Sequence, residues 1–297
     1  RLGADSYRVV TGGADGNRDW VTLRNYRDDN GLNADINIRT HDIATLGLWG
    51  PEAVNALGNF IDPNEINIES FPFVTAKNLT LSLSGGKKVD VWAARISYVG
   101  ESGWEIYFNN NSEDGLALYD SLLEVGVVPV GIETYANSRR LEKSFRLQGA
   151  DLETEYTAIE AAIQRPLVKE ADFHGKAAHL CHREEDPCAI LCTMTLDDLN
   201  VSGVPRYPVG ISPIIDPASG EVPVDSKGRR SYTTGMSYCP SIKKFVVMGY
   251  LPKELAIQGK QLLIEYFNED GDGVYPITVQ IVGKGSLYDP KNKRVRS

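Results

Sequence analysis

Glu101 stands in Gly100-Glu101-Ser102-Gly103, between the aromatic-containing stretches Arg95–Val99 and Trp104–Phe108. Gly, Asn and Asp suffice to build a turn. A glutamate there is therefore either a solvated surface residue or a carboxylate kept for a ligand. Other residues carry possible chemistry. His174, His179, Cys181, His182 and Cys188 crowd one short stretch, but zinc ligands come at CxxC or HxxxH-like spacings. His179 and His182 can share a helix face, yet Cys188 has no CxxC partner. Surface histidines and buried thiols account for the group, and no metal site is expected. Asn268-Glu269-Asp270-Gly271-Asp272-Gly273 matches the first half of a calcium loop, but Val279 stands where the bidentate glutamate belongs. A hairpin turn fits it better. Arg139-Arg140 with Glu142-Lys143 reads as a solvated charged helix face with ordinary i, i+3 pairs.

Several chemistries are unsupported. Gly12, Gly13 and Gly16 do not make GxGxxG, no GxxxxGK[ST] occurs, and the Glu101 turn has the wrong spacing for a GxSxG elbow. The net charge of −9 argues against nucleic acid as the main partner. No apolar run approaches the ~18 residues of a membrane span. Hydrophobic residues make up 42% of the 297, enough to build a sizeable core. Four cysteines are too few for a disulfide framework in a chain this long, so reduced thiols in a cytoplasmic or mitochondrial matrix compartment are expected. Residue 1 is Arg and Leu2–Thr11 reads as the middle of a fold, so a piece of a longer polypeptide is expected.

The elements that must position Glu101 follow from periodicity. Strands are expected at Ser6–Thr11, Ile36–Ile38 and Ala44–Trp49, and a helix-compatible run at Asp15–Tyr26. Gly50-Pro51 opens a helix through Glu52–Leu57. Val74–Leu83 and Lys88–Ala94 flank the hairpin signal Gly85-Gly86, and Arg95–Val99 with Trp104–Phe108 form another strand pair. Ser112 caps a helix at Glu113–Val125, stopped by Gly126. Thr134–Phe145 is a further helix and Ala158–Ile163 a short one. Ala189–Thr195 opens a strand-rich region interrupted by the Pro- and Gly-rich Asn200–Arg230. The reading is α+β, with one domain at 1–185 and a C-terminal antiparallel β-barrel or jelly-roll-like domain at 186–297.

Five segments, in this order, resemble the folate-binding aminomethyltransferase family: "LGLWGPEA" (46–53), "RISYVGESGWEIY" (95–107), "RRLEKSFRLQGADLETEYTAIEAAI" (139–163), "DFHGKAA" (172–178) and "YDPKNKRVR" (288–296). That family includes the glycine cleavage T-protein and the C-terminal folate halves of dimethylglycine oxidase, dimethylglycine dehydrogenase and sarcosine dehydrogenase. "VTGG" (10–13) and the closing motif are similar to the flavin-linked branch. "EAAI" at 160–163 and "GIETYANSRRLE" depart from the family's usual runs. The resemblance implies that Glu101 accepts two parallel pterin donors, with Ser102, Gly103 and Tyr98 completing the contact. Thr11 and Gly12 would line the opposite wall, and Arg140 would support the site by pairing with Glu142 or another carboxylate. The implied reaction moves one carbon from a methylated amine such as dimethylglycine or sarcosine to tetrahydrofolate, giving 5,10-methylenetetrahydrofolate. FAD would sit in an upstream flavin domain, in cis or as a subunit. The family's proton-handling aspartate would lie before residue 1, so no catalytic residue is assigned here. A flavin-independent demethylase, a T-protein-type aminomethyltransferase and a non-catalytic folate binder are the alternatives.

Overall fold

In the computed structural model, residues 1–164, 167–196, 211–268 and 271–296 are described. Helix α1 (Gly16–Asp29) is followed by β1 (Ile43–Trp49), two short helices α2 (Ala53–Leu57) and α3 (Pro63–Ile66), and strands β2 (Ala76–Ser82), β3 (Lys88–Ala94) and β4 (Gly103–Asn109). These strands form an antiparallel sheet in the order β1-β4-β3-β2. Alternation sends Leu79, Leu81, Val89, Val91, Ile106 and Phe108 to one face. There they pack with Leu57, Phe60 and Phe71, and with Leu118 and Leu122 of α4 (Ser112–Glu124). Asn111 caps α4, one residue earlier than expected, by accepting from the Asp114 amide at 2.7 Å.

Three expected strands do not form. Ser6–Thr11 and Ile36–Ile38 pair with no strand among the described residues, and Val9, Val10 and Ile38 are exposed. Arg95–Val99 leaves the sheet because the Arg95 guanidinium is buried and donates to the carbonyls of Ile66 at 3.1 Å and Phe71 at 2.8 Å. Those bonds pull the chain off the β3 line, so β3 and β4 are joined by a long loop that carries Glu101. The expected helix at Thr134–Phe145 is a π-helical stretch, Glu133–Arg139, running into one α turn, α5 (Arg140–Glu142). Ser144, with φ +53°, ends it. Ala158–Ile163 is a turn rather than a helix, broken at Ala162, φ +54°.

Helix α6 (Lys176–Glu184) leads to the second sheet: β5 (Ala189–Leu196), β6 (Ile214–Ile215), β7 (Thr233–Cys239), β8 (Lys244–Pro252), β9 (Gln261–Asn268) and β10 (Gly271–Val282). Its order is β6-β9-β10-β5-β8-β7, antiparallel throughout. While Ile214 pairs with Ile264 on β9, Pro213 bridges Tyr232, and the Thr233 amide donates to the Ser212 carbonyl at 2.9 Å. The two ends of the sheet thus meet, giving the expected barrel-like closure and protecting the edges. Strands β9 and β10 pair as the expected hairpin; residues 269–270 of the calcium-like run, and residues 197–210 of the Pro- and Gly-rich stretch, lie outside the described residues.

Arg140 joins the helical connection to the second sheet. Its guanidinium, 1% exposed, pairs with Asp151 at 2.5 Å. Asp151 also accepts from the Leu147 amide at 2.8 Å and from the Thr234 hydroxyl on β7. A bulge between Thr233 and Gly235 admits the pair, since a Cβ on Gly235 would fall 2.4 Å from Arg140 Nη2. Breaking a buried pair leaves one charge without compensation, so Asp151→Ala should destabilise the chain by about 3–5 kcal/mol. Urea unfolding measures this; a loss below about 1 kcal/mol would show that Arg140 is not held as described.

Candidate functional site

The loop from β3 to β4 is fixed at both ends before Glu101 is placed. Arg95 Nη2 reaches Ser102 Oγ at 3.2 Å, and the Ser102 carbonyl accepts from the Gly50 amide at 3.0 Å. Gly100 and Gly103 have φ of +79° and +150°, conformations open mainly to glycine. The chain itself crowds both positions: a Cβ would fall 2.5 Å from Lys143 Cγ at Gly100 and 2.0 Å from the Leu48 carbonyl at Gly103. These glycines therefore serve the packing of the loop against its own neighbours.

Glu101 is 6% exposed. Its Oε1 receives Arg139 Nη2 at 2.7 Å and the Tyr288 hydroxyl at 2.5 Å. Its Oε2 is buried and has no hydrogen bond; Arg294 Nη1 stands 3.7 Å away. Arg139 bridges two carboxylates, since its Nη1 bonds Glu142 Oε2 at 2.6 Å. Glu142 is fully buried and its Oε1 accepts from the Ser241 amide at 2.8 Å. Lys143 completes the cluster, donating to the carbonyls of Tyr288 at 3.0 Å and Asp289 at 2.8 Å and to Asn292 Oδ1 at 2.8 Å. Burial pulls its ammonium below the ordinary value, against the opposing pull of Asp289 and Glu101. The same environment, with the bond to Glu101, pushes the Tyr288 phenol up.

The Arg139–Lys143 run is thus not the solvated face its spacing suggested. Arg140, Glu142 and Lys143 are buried, and Arg139 is mostly so. Of the expected site residues, the structure brings together Glu101, Ser102 and Gly103. Tyr98 stands nearby, stacked on Phe145 at 5.8 Å and donating to the Arg146 carbonyl at 2.9 Å. Arg140 lies behind, paired with Asp151 while Arg139 takes Glu142. Thr11 and Gly12 lie on the exposed approach to α1, and among the described residues no hydrogen bond joins them to Glu101. Arg139 and Tyr288 were missed as site residues, although Tyr288 opens the motif at 288–296. Among the described residues no three metal-ligating side chains gather, and the four cysteines form no disulfide. No described helix is long and apolar enough to cross a membrane.

A family model described as the GCVT N-terminal domain matches residues 1–170. Mitochondrial dimethylglycine dehydrogenase from Homo sapiens is 29% identical over 288 residues, covering 92% of this chain and 29% of the relative. Its Rattus norvegicus counterpart is 32% identical, covering 82% and 26% respectively. An aminomethyltransferase from Symbiobacterium thermophilum is 31% identical, covering 85% of this chain and 63% of its own length. The crystal structure of glycine cleavage system aminomethyltransferase T from Bartonella henselae superposes with a TM-score of 0.69 at 21% identity, over 91% of this chain and 66% of that one. The chain spans under a third of the length of the dimethylglycine dehydrogenases.

Burial pushes the Tyr98 phenol up to about 12, against about 10 in an unfolded chain. The folded state favours the protonated phenol, so this contribution is whole below pH ~10 and is lost as pH rises toward ~12. Stability followed by urea unfolding should fall across that window, and less steeply in Tyr98→Phe. An identical slope in both proteins would contradict the shift.

Proposed function

The chain belongs to the GCVT family, and we propose that it binds a reduced folate at Glu101 and serves in one-carbon transfer from an N-methylated amine of the dimethylglycine or sarcosine kind, yielding 5,10-methylenetetrahydrofolate. The observation that carries this reading is Glu101 Oε2, a buried acceptor without a hydrogen bond beside an Oε1 that is already fixed. Leaving such a group unsatisfied costs about 1–3 kcal/mol or more. A pterin ring N–H or its adjacent exocyclic amino group supplies the missing donor to Oε2, charge-assisted by the carboxylate. When bound, tetrahydrofolate supplies the nucleophilic nitrogen that takes up the carbon.

The chain's part is orientation. Arg139 and Tyr288 hold Oε1 in place, which leaves Oε2 for the ligand. Arg294 adds positive charge on that side. Tyr98, braced by Phe145, offers an aromatic wall. We assign the Glu101 loop to a folate-binding domain at 1–185 and the barrel to a domain at 186–297, whose Tyr288 and Arg294 reach back to the Glu101 carboxylate.

The dimethylglycine dehydrogenase relatives favour the flavin-linked branch. Because the chain matches under a third of them, amine oxidation with FAD is assigned to polypeptide outside it, in cis or as a partner subunit. Oxidising a methylated amine gives an iminium that water hydrolyses, so direct delivery to folate retains the carbon. The mitochondrial relatives favour a matrix location. A flavin-free aminomethyltransferase is the second reading, favoured by the Symbiobacterium relative, whose length the chain covers more fully at 63%.

Glu101→Gln replaces an acceptor oxygen with a donor and removes the charge. It should keep the fold and weaken binding of 5-formyltetrahydrofolate by about 1.5–3 kcal/mol, read by calorimetric titration. Equal affinity in both proteins would remove Glu101 from the site.

A further inference from the structure

Lys143 follows α5 directly, and its side chain reaches the segment around Tyr288. An ammonium has three hydrogens to donate. All three go to one turn, residues 288–292: to the Tyr288 and Asp289 carbonyls at 3.0 and 2.8 Å and to Asn292 Oδ1 at 2.8 Å. None is left for Glu101 or for a ligand, so Lys143 acts on the candidate site through that turn. The aliphatic stem serves the other side. A Cβ on Gly100, the residue before Glu101, would fall 2.5 Å from Lys143 Cγ and 2.6 Å from Cδ. The Glu101 loop therefore rests directly on the stem. One side chain, 1% exposed, lies against both the loop that carries Glu101 and the turn that carries Tyr288.

The turn is not held by local bonds alone. Asp289 and Asn292 have φ of +43° and +53°, left-handed backbone that costs a residue with a Cβ. The Asp289 carboxylate accepts from the Lys293 and Arg294 amides at 2.9 and 3.0 Å, and the Glu142 carbonyl accepts from the Tyr288 amide at 2.9 Å. Ser286 shares the Tyr288 carbonyl with Lys143. An apolar side chain of the same length would fill the stem's place but supply no donor to the turn. What the turn places is Tyr288. Its hydroxyl donates to Glu101 Oε1 at 2.5 Å, and its ring lies 5.0 Å from the Arg139 guanidinium and 5.5 Å from that of Arg294. Two cations beside Glu101 thus share this ring as a neighbour.

We infer that Lys143 is a positioning residue for ligand binding at Glu101: by holding the 288–292 turn it keeps Tyr288 on Oε1 and leaves Oε2 aimed at the ligand. That the ligand is a folate rests on the function proposed above; the action of Lys143 on Tyr288 stands without it.

The test places 3-fluorotyrosine at position 288 of the full chain and follows its ionisation by fluorine NMR. Fluorination lowers phenol ionisation into an accessible range. Burial and the bond to Glu101 push this phenol up. Lys143→Met keeps the stem and removes the donors. Its midpoint should fall toward that of fluorotyrosine in an unfolded chain, a change that loss of stability alone does not produce. Binding of 5-formyltetrahydrofolate, measured by calorimetry, should weaken about three- to tenfold. Tyr288→Phe should weaken it to a similar extent, and the double variant no further than either single one, since both remove the same contact. An unchanged midpoint in folded Lys143→Met, or losses that multiply in the double variant, overturns the inference. Should Lys143→Met fail to fold, Asn292→Gly removes one acceptor and suits the left-handed backbone; a lowered midpoint there supports the inference and an unchanged one overturns it. A lowered midpoint with undiminished folate affinity overturns the positioning of the ligand. A lowered midpoint in Lys143→Met, when the unaltered chain binds no folate, supports the action on Tyr288 and overturns the folate reading.

Discussion

Everything at the candidate site depends on one guanidinium held between two buried carboxylates. Arg139 bonds Glu101 with one nitrogen and Glu142 with the other. Without it, two negative charges would be buried close together, each costing several kcal/mol to desolvate. Glu101 comes from the loop between β3 and β4, Arg139 from the π-helical stretch, and the Ser241 amide that fixes Glu142 from the turn between β7 and β8. The pair therefore ties the first sheet, the helical connection and the barrel into one charge-balanced joint. Lys143 extends the joint to the C-terminal segment, whose Tyr288 returns to Glu101.

This arrangement explains why Glu101 can be buried with one oxygen free of hydrogen bonds. Arg139 and Tyr288 saturate Oε1, and the glycines at 100 and 103 let the loop pass close to Lys143 and Leu48. A carboxylate held this firmly has little rotamer freedom left to lose when a ligand arrives, which is the advantage of a pre-organised site. Behind it, Arg140 and Asp151 repeat the pairing at greater depth and fix the position of β7.

Much of the fold was legible in the sequence. The first-sheet strands β1 to β4, the Gly85-Gly86 hairpin, α4 and the β9–β10 hairpin follow from period-2 and period-3.6 patterns that packing then rewards. Two of the misses share a cause: a buried polar partner overrode local pattern. Arg95–Val99 reads as a strand, but the Arg95 guanidinium seeks carbonyls 24 and 29 residues away. Arg139–Lys143 has the spacing of a solvated face, yet its partners stand up to 149 residues distant. Glu101 was identifiable because a local turn marked it. Arg139 and Tyr288 were not, since only the fold brings residues 38 and 187 positions away to that carboxylate.

The central claim is that Glu101 presents one oxygen to a pterin while Arg139 and Tyr288 hold the other. A crystal structure of the chain grown with 5-formyltetrahydrofolate tests it most directly. The account predicts the pterin ring N–H or its amino group within hydrogen-bond distance of Glu101 Oε2, with Arg139 and Tyr288 still on Oε1. A pterin bound elsewhere, or a Glu101 carboxylate with Oε2 left unbonded in the occupied complex, would contradict it.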